Sequence, residues 1–555
     1  MARFLRLAVE RSLEGKADQL KEYLIGVEVF DRPASYDPRV DPIVRVEARR
    51  LRSKLKSYYE GDGRNDPIQF AFRPGSYAPE FCPRGGARQA EMPVANGVAV
   101  LPFANLGPSA DDSYFSDGLT EELIHALTKF RGMRVVAWNS ATRLRGVEQD
   151  LGEVRRQLSV AHVLTGSVRI SGPKLRVRAQ FIDTATGEYL WSETYDRRME
   201  DIFAIQEEIA QAIVRTLHVQ LAHGAESALA ARARTSVRAH EYYLKGRFHM
   251  HRRTPDELRR SLQYFEAAVA ADPQSAVALS GVADAYALLA DYALLPPGDA
   301  VPKAKAAAEA ALALDPGLAE AYPSLAWVRS WYDWEWDDAE ALYRKGIALN
   351  PGYAMVHHWL GTDLLAMLGR FDEAVAETDL AVDLDPLSSI IYDSRALVSI
   401  VRRDYEDAVR WCRRVLEFDP TFYKAYTTLG RTYALLGNYS EALAMLEKGR
   451  EIAGDMNSIL AAMGEVLARS GNAEAARAIR GGLAARAQTQ YVPLTSFAIL
   501  HIGLGEHEQA LSCLERACER RDLPLVSINT HPVYDDLRGH PRFEGLLRRM
   551  RFLRR

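Results

Sequence analysis

The sequence predicts a mostly α-helical protein: an α-solenoid of repeated helix pairs, preceded by a small α/β domain and a shorter α+β domain. Three observations carry that reading. An alanine returns every 34 residues, at Ala374, Ala408, Ala442, Ala476 and Ala510, each inside the same local phrase. Strand and helix signals alternate between about residues 96 and 221. A basic amphipathic helix followed by strand-forming residues lies within the first 83. At 555 residues the chain is too long for one hydrophobic core, so several domains are expected.

In residues 1–83, helical patterns cover about Ala2 to Leu13 and Leu20 to Phe30. A third helix starts at Asp41-Pro42, with Asp as the cap and Pro in the first turn. Val44, Ala48, Leu51, Leu55 and Tyr58 recur at helical spacing and make an apolar face. Arg45, Arg49, Arg52 and Lys56 follow one residue later and make a basic one, to which Arg50 and Lys54 add. Arg73 lies in the strand segment that follows. Such a helix can bury one side and lay the other on double-stranded DNA, where Lys and Arg hold phosphates and Arg forks read guanine edges. The segment carries a net charge of +4 through residue 90 in a chain of −4 overall, which fits that use.

The wording of this helix is specific. Val44-Arg-Val-Glu-Ala-Arg-Arg-Leu-Arg-Ser-Lys-Leu55 resembles the recognition helix of the OmpR-like winged-helix regulators, with the pattern V-x-V-x-x-x-R-L-R-x-K-L. Ile68-Gln-Phe-Ala-Phe-Arg-Pro-Gly-Ser-Tyr77 stands where that family has its hairpin wing. The resemblance spans about Ala17 to Phe81 and implies DNA binding. One short helix stands where the family has strands, so a shortened variant is expected. The alternative is a protein-interaction domain whose basic face is solvated or meets another protein.

Residues 84–95, Gly-rich and polar, read as a linker. Beyond them, Val98 to Phe103 is a buried strand, a helix opens at Ser116, and Met133 to Trp138 is a strand. His162 to Ile170 and Leu175 to Asp183 alternate with period two around Ser171-Gly-Pro-Lys, a hairpin signal, and Tyr189 to Tyr195 adds a third strand. Asp201 to Leu221 follows helical spacing. Ala99-Val-Leu-Pro-Phe-Ala-Asn-Leu, Tyr114-Phe-Ser-Asp-Gly-Leu-Thr-Glu-Glu-Leu-Ile and Thr186-Gly-Glu-Tyr-Leu-Trp-Ser-Glu-Thr-Tyr-Asp196 closely resemble the amino-terminal domain of TolB-like proteins. That resemblance covers residues 96–221 and implies a non-catalytic α/β module serving as spacer or sensor. Asp111, Asp112 and Asp117 are acidic enough to gather a cation, but Asp117-Gly118 reads as shaping the start of the helix.

An Ala/Arg-rich helical connector is expected over 222–239, then the array over 240–530. Asp272-Pro273, Asp315-Pro316, Asn350-Pro351, Asp385-Pro386 and Asp419-Pro420 end successive units at intervals of 43, 35, 35 and 34 residues. The long first interval holds the insertion Leu294-Leu-Pro-Pro-Gly-Asp. Leu429-Gly430 and Tyr433 on one helix and Ala442 on the next resemble tetratricopeptide repeats, and seven or eight units are expected. That resemblance implies a concave face that takes a protein or peptide partner. Residues 531–555 are expected to cap the last apolar face.

Trp327, Trp331 and Trp334, at i, i+4 and i+7, are expected to pack between helices rather than anchor a partner. His249, His251, His357 and His358 lack metal-ligand spacing and are expected on the surface or in packing. Cys412 and Cys513 read as small apolar fillers. No phosphate-loop, zinc-protease or nucleophile-elbow motif occurs. No catalytic residue, metal or cofactor is expected, nor a membrane span or signal peptide. The reading is a cytoplasmic, non-enzymatic regulator; the rivals are an interaction scaffold without DNA binding and, least, a cyclase-associated enzyme.

Overall fold

The computed structural model describes residues 2–13, 20–33, 36–38, 41–60, 68–72, 77, 79–83, 94–107, 113–130, 132–146, 150–172, 174–198, 201–217 and 236–553. The chain forms two compact units, residues 1–93 and 94–555.

The first unit has three helices, α1 (Ala2–Leu13), α2 (Glu22–Phe30) and α3 (Ile43–Glu60), then two antiparallel strands, β1 (Ile68–Ala71) and β2 (Glu80–Pro83), with Phe70 opposite Phe81. Its core is small: Phe4 and Ala8 from α1, Ile25 and Val29 from α2, Val44, Ala48 and Leu51 from α3, with Leu20, Tyr36 and Phe72 from the connections. Tyr58 belongs to the expected apolar face but is 43% exposed. An 18-residue helix is about 27 Å long and extends past so small a core, which leaves Tyr58 partly exposed.

The second unit begins with a sheet of strand order β5-β3-β6-β7-β8, in which the short β4 also pairs with β6, beyond the residues that β3 covers. The strands are β3 (Val94–Val100), β4 (Ala104–Asn105), β5 (Arg134–Val135), β6 (Val160–Ser171), β7 (Lys174–Asp183) and β8 (Tyr189–Arg198). β3 runs parallel to β5 and β6, whereas β6, β7 and β8 form an antiparallel meander. Gly172 and Gly187, both at positive φ, make its two turns. Four helices complete the layer: α4 (Ser113–Thr128), α5 (Trp138–Arg143), α6 (Leu151–Leu158) and α7 (Ile202–Leu217). Two sequence expectations fail here. The strand expected over 133–138 is two residues long, and Trp138 starts a helix instead. Asp117 lies inside α4 rather than at its start, with its carboxylate on Arg145 at 2.6 Å.

Eight successive helix pairs follow among the described residues. They are α8 (Val237–His251) with α9 (Pro255–Ala271), α10 (Ala276–Asp291) with α11 (Pro297–Leu314), α12 (Ala321–Val328) with α13 (Trp336–Leu349), and α14 (Ala354–Trp359) with α15 (Phe371–Leu384). Then come α16 (Ser389–Val401) with α17 (Tyr405–Phe418), α18 (Tyr423–Leu435) with α19 (Tyr439–Ala453), α20 (Asn457–Arg469) with α21 (Ala473–Arg486), and α22 (Leu494–Gly503) with α23 (His507–Arg520). Two 3-10 turns and α24 (Pro541–Arg549) end the chain. The connector expected over 222–239 falls largely outside the described residues, as does the linker expected over 84–95, whose last two residues instead open β3.

The five periodic alanines are all fully buried. The reason is close approach between paired helices: a Cβ on Gly430 would sit 3.0 Å from the Ala442 carbonyl, and one on Gly361 3.0 Å from that of Ala374. In seven of the eight pairs the residue two positions before the second helix turns left-handed, at Arg253, Trp334, Gly369, Arg403, Gly437, Gly471 and Gly505. This explains why four of the five alanine phrases open on glycine.

The α/β layer and the array share one core. Leu119, Leu123 and Leu127 of α4 and Ile205, Ile209 and Ile213 of α7 join Leu244, Phe265 and Leu288 of the first repeats in one continuous cluster. Any Cβ on Gly118 would come within 3 Å of Leu244, so glycine is what lets α4 lie against α8. The sequence boundary near 222 therefore does not divide the packing. At the far end, residues 523–552 return to the middle of the array. Trp336 Nε1 donates to the Met550 carbonyl at 3.0 Å and its ring stacks on Phe552. Arg403 pairs with Asp535 at 2.8 Å. The expected cap thus packs on repeats far back in the chain as well as on the last one.

Candidate functional site

Three places bring functional chemistry together. The first is the exposed side of α3. Its start is built by Asp41, whose Oδ1 accepts from the Ile43 N–H at 3.1 Å while Oδ2 accepts from Arg32. Val44, Ala48 and Leu51 face the core, which turns Arg49, Arg50 and Lys54 to solvent. Arg45 is placed differently from its neighbours in the stripe. Its Nε donates to Glu22 and a second nitrogen to the Pro38 carbonyl, both at 2.7 Å, so it ties α3 to α2. Arg50 meets Glu47 one turn back. The side chains of Arg52 and Lys56, and Arg73 altogether, lie outside the described residues.

The second place is where α4 and α5 meet the repeat corners. Asn350 Nδ2 donates to Thr128 at 3.1 Å. Asp385 accepts from the Ser140 N–H and from Asn139 Nδ2, each at 2.9 Å, and from the Ser140 hydroxyl. Asp419 accepts from Arg143. The Asn-Pro and Asp-Pro stops at 350, 385 and 419 are thus three docking points for one layer. Nearby, Arg247 Nε donates to Glu121 at 2.9 Å and His251 shares that carboxylate at 3.1 Å. Arg247 and His251 hold Glu121 well below the usual carboxylate range, and the Arg247 guanidinium is raised in turn. Asp284, 3.7 Å from the same guanidinium, is pushed up to about 6 by burial because Glu121 has the closer contact.

The third place is the inner face of the array, which borders an open cavity of about 1330 Å³ lined by residues from Arg253 through the C-terminal turns. Two π-helical turns shape its wall, Arg329–Asp333 after α12 and Leu360–Leu365 after α14. They account for the odd spacing of the stops. Asp315 to Trp334 and Asn350 to Gly369 are 19 residues each, whereas Asp385 to Arg403 and Asp419 to Gly437 are 18. The surplus residue of each 35-residue unit lies in its first helix, where a π-turn absorbs it. The two turns touch: Trp331 Nε1 on one donates to the Asp363 carbonyl on the other at 3.1 Å.

Asp291, Asp363, Asp393 and Lys424 all line this cavity. Among the described residues no cation comes within 4.0 Å of any of the three carboxylates. Lys424 Nζ lies instead 4.3 Å over the Tyr292 ring. Burial, with Asp291 nearby, pushes Asp363 well above the carboxylate range, and burial pushes Asp393 up to about 6 despite a hydrogen bond from Thr428. His358 is held neutral by burial, down to about 3, and bonds Ser394 at 2.7 Å.

Of the tryptophans, Trp334 is buried beneath Arg521, whose guanidinium lies 3.7 Å over the ring, while Trp327 and Trp331 stack and line the cavity. His249 meets Glu257, and His357 bonds Glu377 at 2.7 Å, so both serve local packing. Cys412 is buried and Cys513 half-buried in repeat helices. Among the described residues no group of three or more His, Cys, Asp or Glu could hold a metal ion, and no helix is long and apolar enough to cross a membrane. Asp111 and Asp112 lie outside those residues.

Residues 95–213 match the second domain of HilA/YgeH-like transcriptional regulators, and residues 402–463 match the tetratricopeptide repeat. The repeat family is therefore present in the array. The α/β layer is similar to a domain of transcriptional regulators. A Rhizobium meliloti (strain 1021) protein named "Putative adenylate cyclase 3" is 40% identical over 28% of this chain and 27% of its own length. Transcriptional regulator HilA of Salmonella typhimurium (strain LT2) is 22% identical over 58% of this chain and 56% of its own. The chain thus spans little more than half of these relatives at most. Among solved structures, PilW, a type IV pilus biogenesis factor, is 23% identical over 38% of this chain and 95% of its own, with a TM-score of 0.31.

Proposed function

We propose that this protein is a non-enzymatic, cytoplasmic transcriptional regulator that binds duplex DNA through α3 and a protein segment through its repeats. One observation carries the DNA half. α3 buries Val44, Ala48 and Leu51 against a helix-turn-helix partner and presents Arg49, Arg50 and Lys54 outward, with a two-stranded sheet following, as in a winged helix. The likeness of residues 95–213 to a domain of HilA/YgeH-like regulators supports the same reading. The concave inner face, lined by acidic, basic and aromatic side chains together, supports the partner half. The relative named as a cyclase does not alter it, because only about a quarter of that protein is matched.

The test is a mobility-shift titration of the full chain on duplex DNA from 50 to 300 mM salt. Phosphate contacts release counterions, so the logarithm of affinity should fall linearly with that of salt, by about 0.9 per contact. Replacing Arg49 and Arg50 together by Ala should make the slope shallower by about one to two while the fold is kept. An affinity that ignores salt would sink the DNA reading. The scaffold reading would then lead, favoured by Arg45, whose ion pair with Glu22 already spends one cation of the stripe within the protein.

A further inference from the structure

Several carboxylates elsewhere in the array are matched to cations. Glu340 holds Arg370, Asp379 and Asp407 hold Arg395, Glu465 holds Arg469, and Glu506 holds Arg480. The inner wall breaks this habit at Asp291, Asp363 and Asp393. Asp393 is only 3% exposed, yet among the described residues its Oδ1 has no hydrogen-bond partner; Thr362, 5% exposed on the π-turn beside Asp363, has none there for its Oγ1 either. A buried acceptor without a donor costs about 1–3 kcal/mol, and more for a charged group, unless something supplies the donor. Both residues line the cavity.

The cations nearby do not fill that role. Lys424 is committed to the face of Tyr292, to which Arg253 also donates, and Arg431 donates to the Ser458 carbonyl at 3.2 Å. Trp331 and Trp359 stand on the same wall and complete the setting in which a flat or compact cation is stabilised by acid and aromatic together. The volume decides the carrier. Small-molecule sites occupy about 300–1,000 Å³, and this cavity of about 1330 Å³ exceeds them. An extended polypeptide that leaves one side chain against the wall fits the space better.

We infer that the cavity recognises an extended peptide segment bearing a basic side chain, which is received between Asp363 and Trp331 on the two π-turns and Asp393 on the next repeat. This rests on the proposal that the array is the partner-binding element, and it names the chemistry of the partner. The π-turns supply the means, since one extra residue in a helix re-aims the side chains around it.

The test titrates the full chain with three blocked heptapeptides, Ac-Ala-Ser-Ala-X-Ala-Ser-Ala-NH2, with X as arginine, citrulline or glutamate, followed by calorimetry and tryptophan fluorescence. The arginine peptide should bind at least about tenfold more tightly than the other two. Asp393→Asn and Asp363→Asn should each erase most of that preference. Asp338→Asn, an exposed acid on α13, should leave it intact. Equal affinity for arginine and citrulline would overturn the charge recognition and leave the peptide-binding reading standing. Preference for glutamate would overturn it in favour of Lys424, Arg253 and Arg431. Binding of none of the three by a folded protein would overturn both readings.

Discussion

At the repeat corners, Asp385 and Asp419 accept hydrogen bonds from α5, whereas on the inner face of the same repeats Asp363 and Asp393 meet no cation within ion-pair distance among the described residues. All four residues come from two consecutive units. The corners are covered by the α/β layer, so their carboxylates were completed within the chain. The inner face is left to whatever enters it. A carboxylate whose partner is internal adds to the fold. One whose partner is absent subtracts from it, and such a residue is kept where binding compensates. The comparison predicts opposite signs for mutations that look alike.

The largest effect should come from Glu121→Gln. The substitution keeps the shape but strands Arg247, which is under one-tenth exposed, with only the more distant Asp284. Breaking a buried pair on one side costs about 3–5 kcal/mol. The folded-state pKa of Glu121 is depressed, so its stabilisation is present above the ordinary glutamate pKa near 4.3 and is lost as pH falls below it. Urea titrations at pH 7 and pH 3.5 should show a large gap between wild type and variant at pH 7 that narrows in acid. An equal gap at both would mean that the charge pair is not what holds α4 to α8.

Asp385→Ala should come next, with a loss of about 2–3 kcal/mol, because the Ser140 N–H and hydroxyl and Asn139 all lose one acceptor. Hydrogen exchange should rise in α5 and in the 383–389 corner together. Exchange confined to the array would show the α/β layer to be an independent module, which the shared core contradicts. Ala442→Arg, by contrast, overpacks a helix crossing far from those corners. It should loosen α18 to α21 and leave α4 to α7 protected.

What could be read in the sequence was what repeats. The buried alanines, the left-handed turns and the helix-pair order all recur at fixed spacing, and a periodic signal survives without tertiary information. The basic face of α3 was legible for the same reason, as a 3.6-residue pattern, but Arg45's bond to Glu22 was not, since the two lie 23 residues apart. The intervals of 35 residues were visible as numbers, yet nothing local marks where a helix takes its surplus residue. Trp138 sits in a strand-like stretch and became helical because its segment docks, with the Ala137 N–H donating to the Leu384 carbonyl at 3.0 Å. The inner acidic wall draws on residues about 30 to 100 positions apart, which meet only after the pairs have stacked.

The smallest expected effect is also the one of opposite sign. Asp393 carries a folded-state pKa of about 6, against an ordinary aspartate value near 3.9. Between those values the folded protein holds a proton that the unfolded chain has released, so stability falls as pH rises through the window and stays lowered above it. Asn at this position keeps an oxygen for Thr428 and removes the charge. Asp393→Asn should therefore stabilise the protein by about 1–3 kcal/mol at pH 7.5, with the gain fading towards zero near pH 4. Denaturation midpoints of the two proteins across pH 4–8 would trace that curve. If the variant is instead less stable at pH 7.5, Asp393 has a partner inside the fold, and the contrast between corner and inner face disappears.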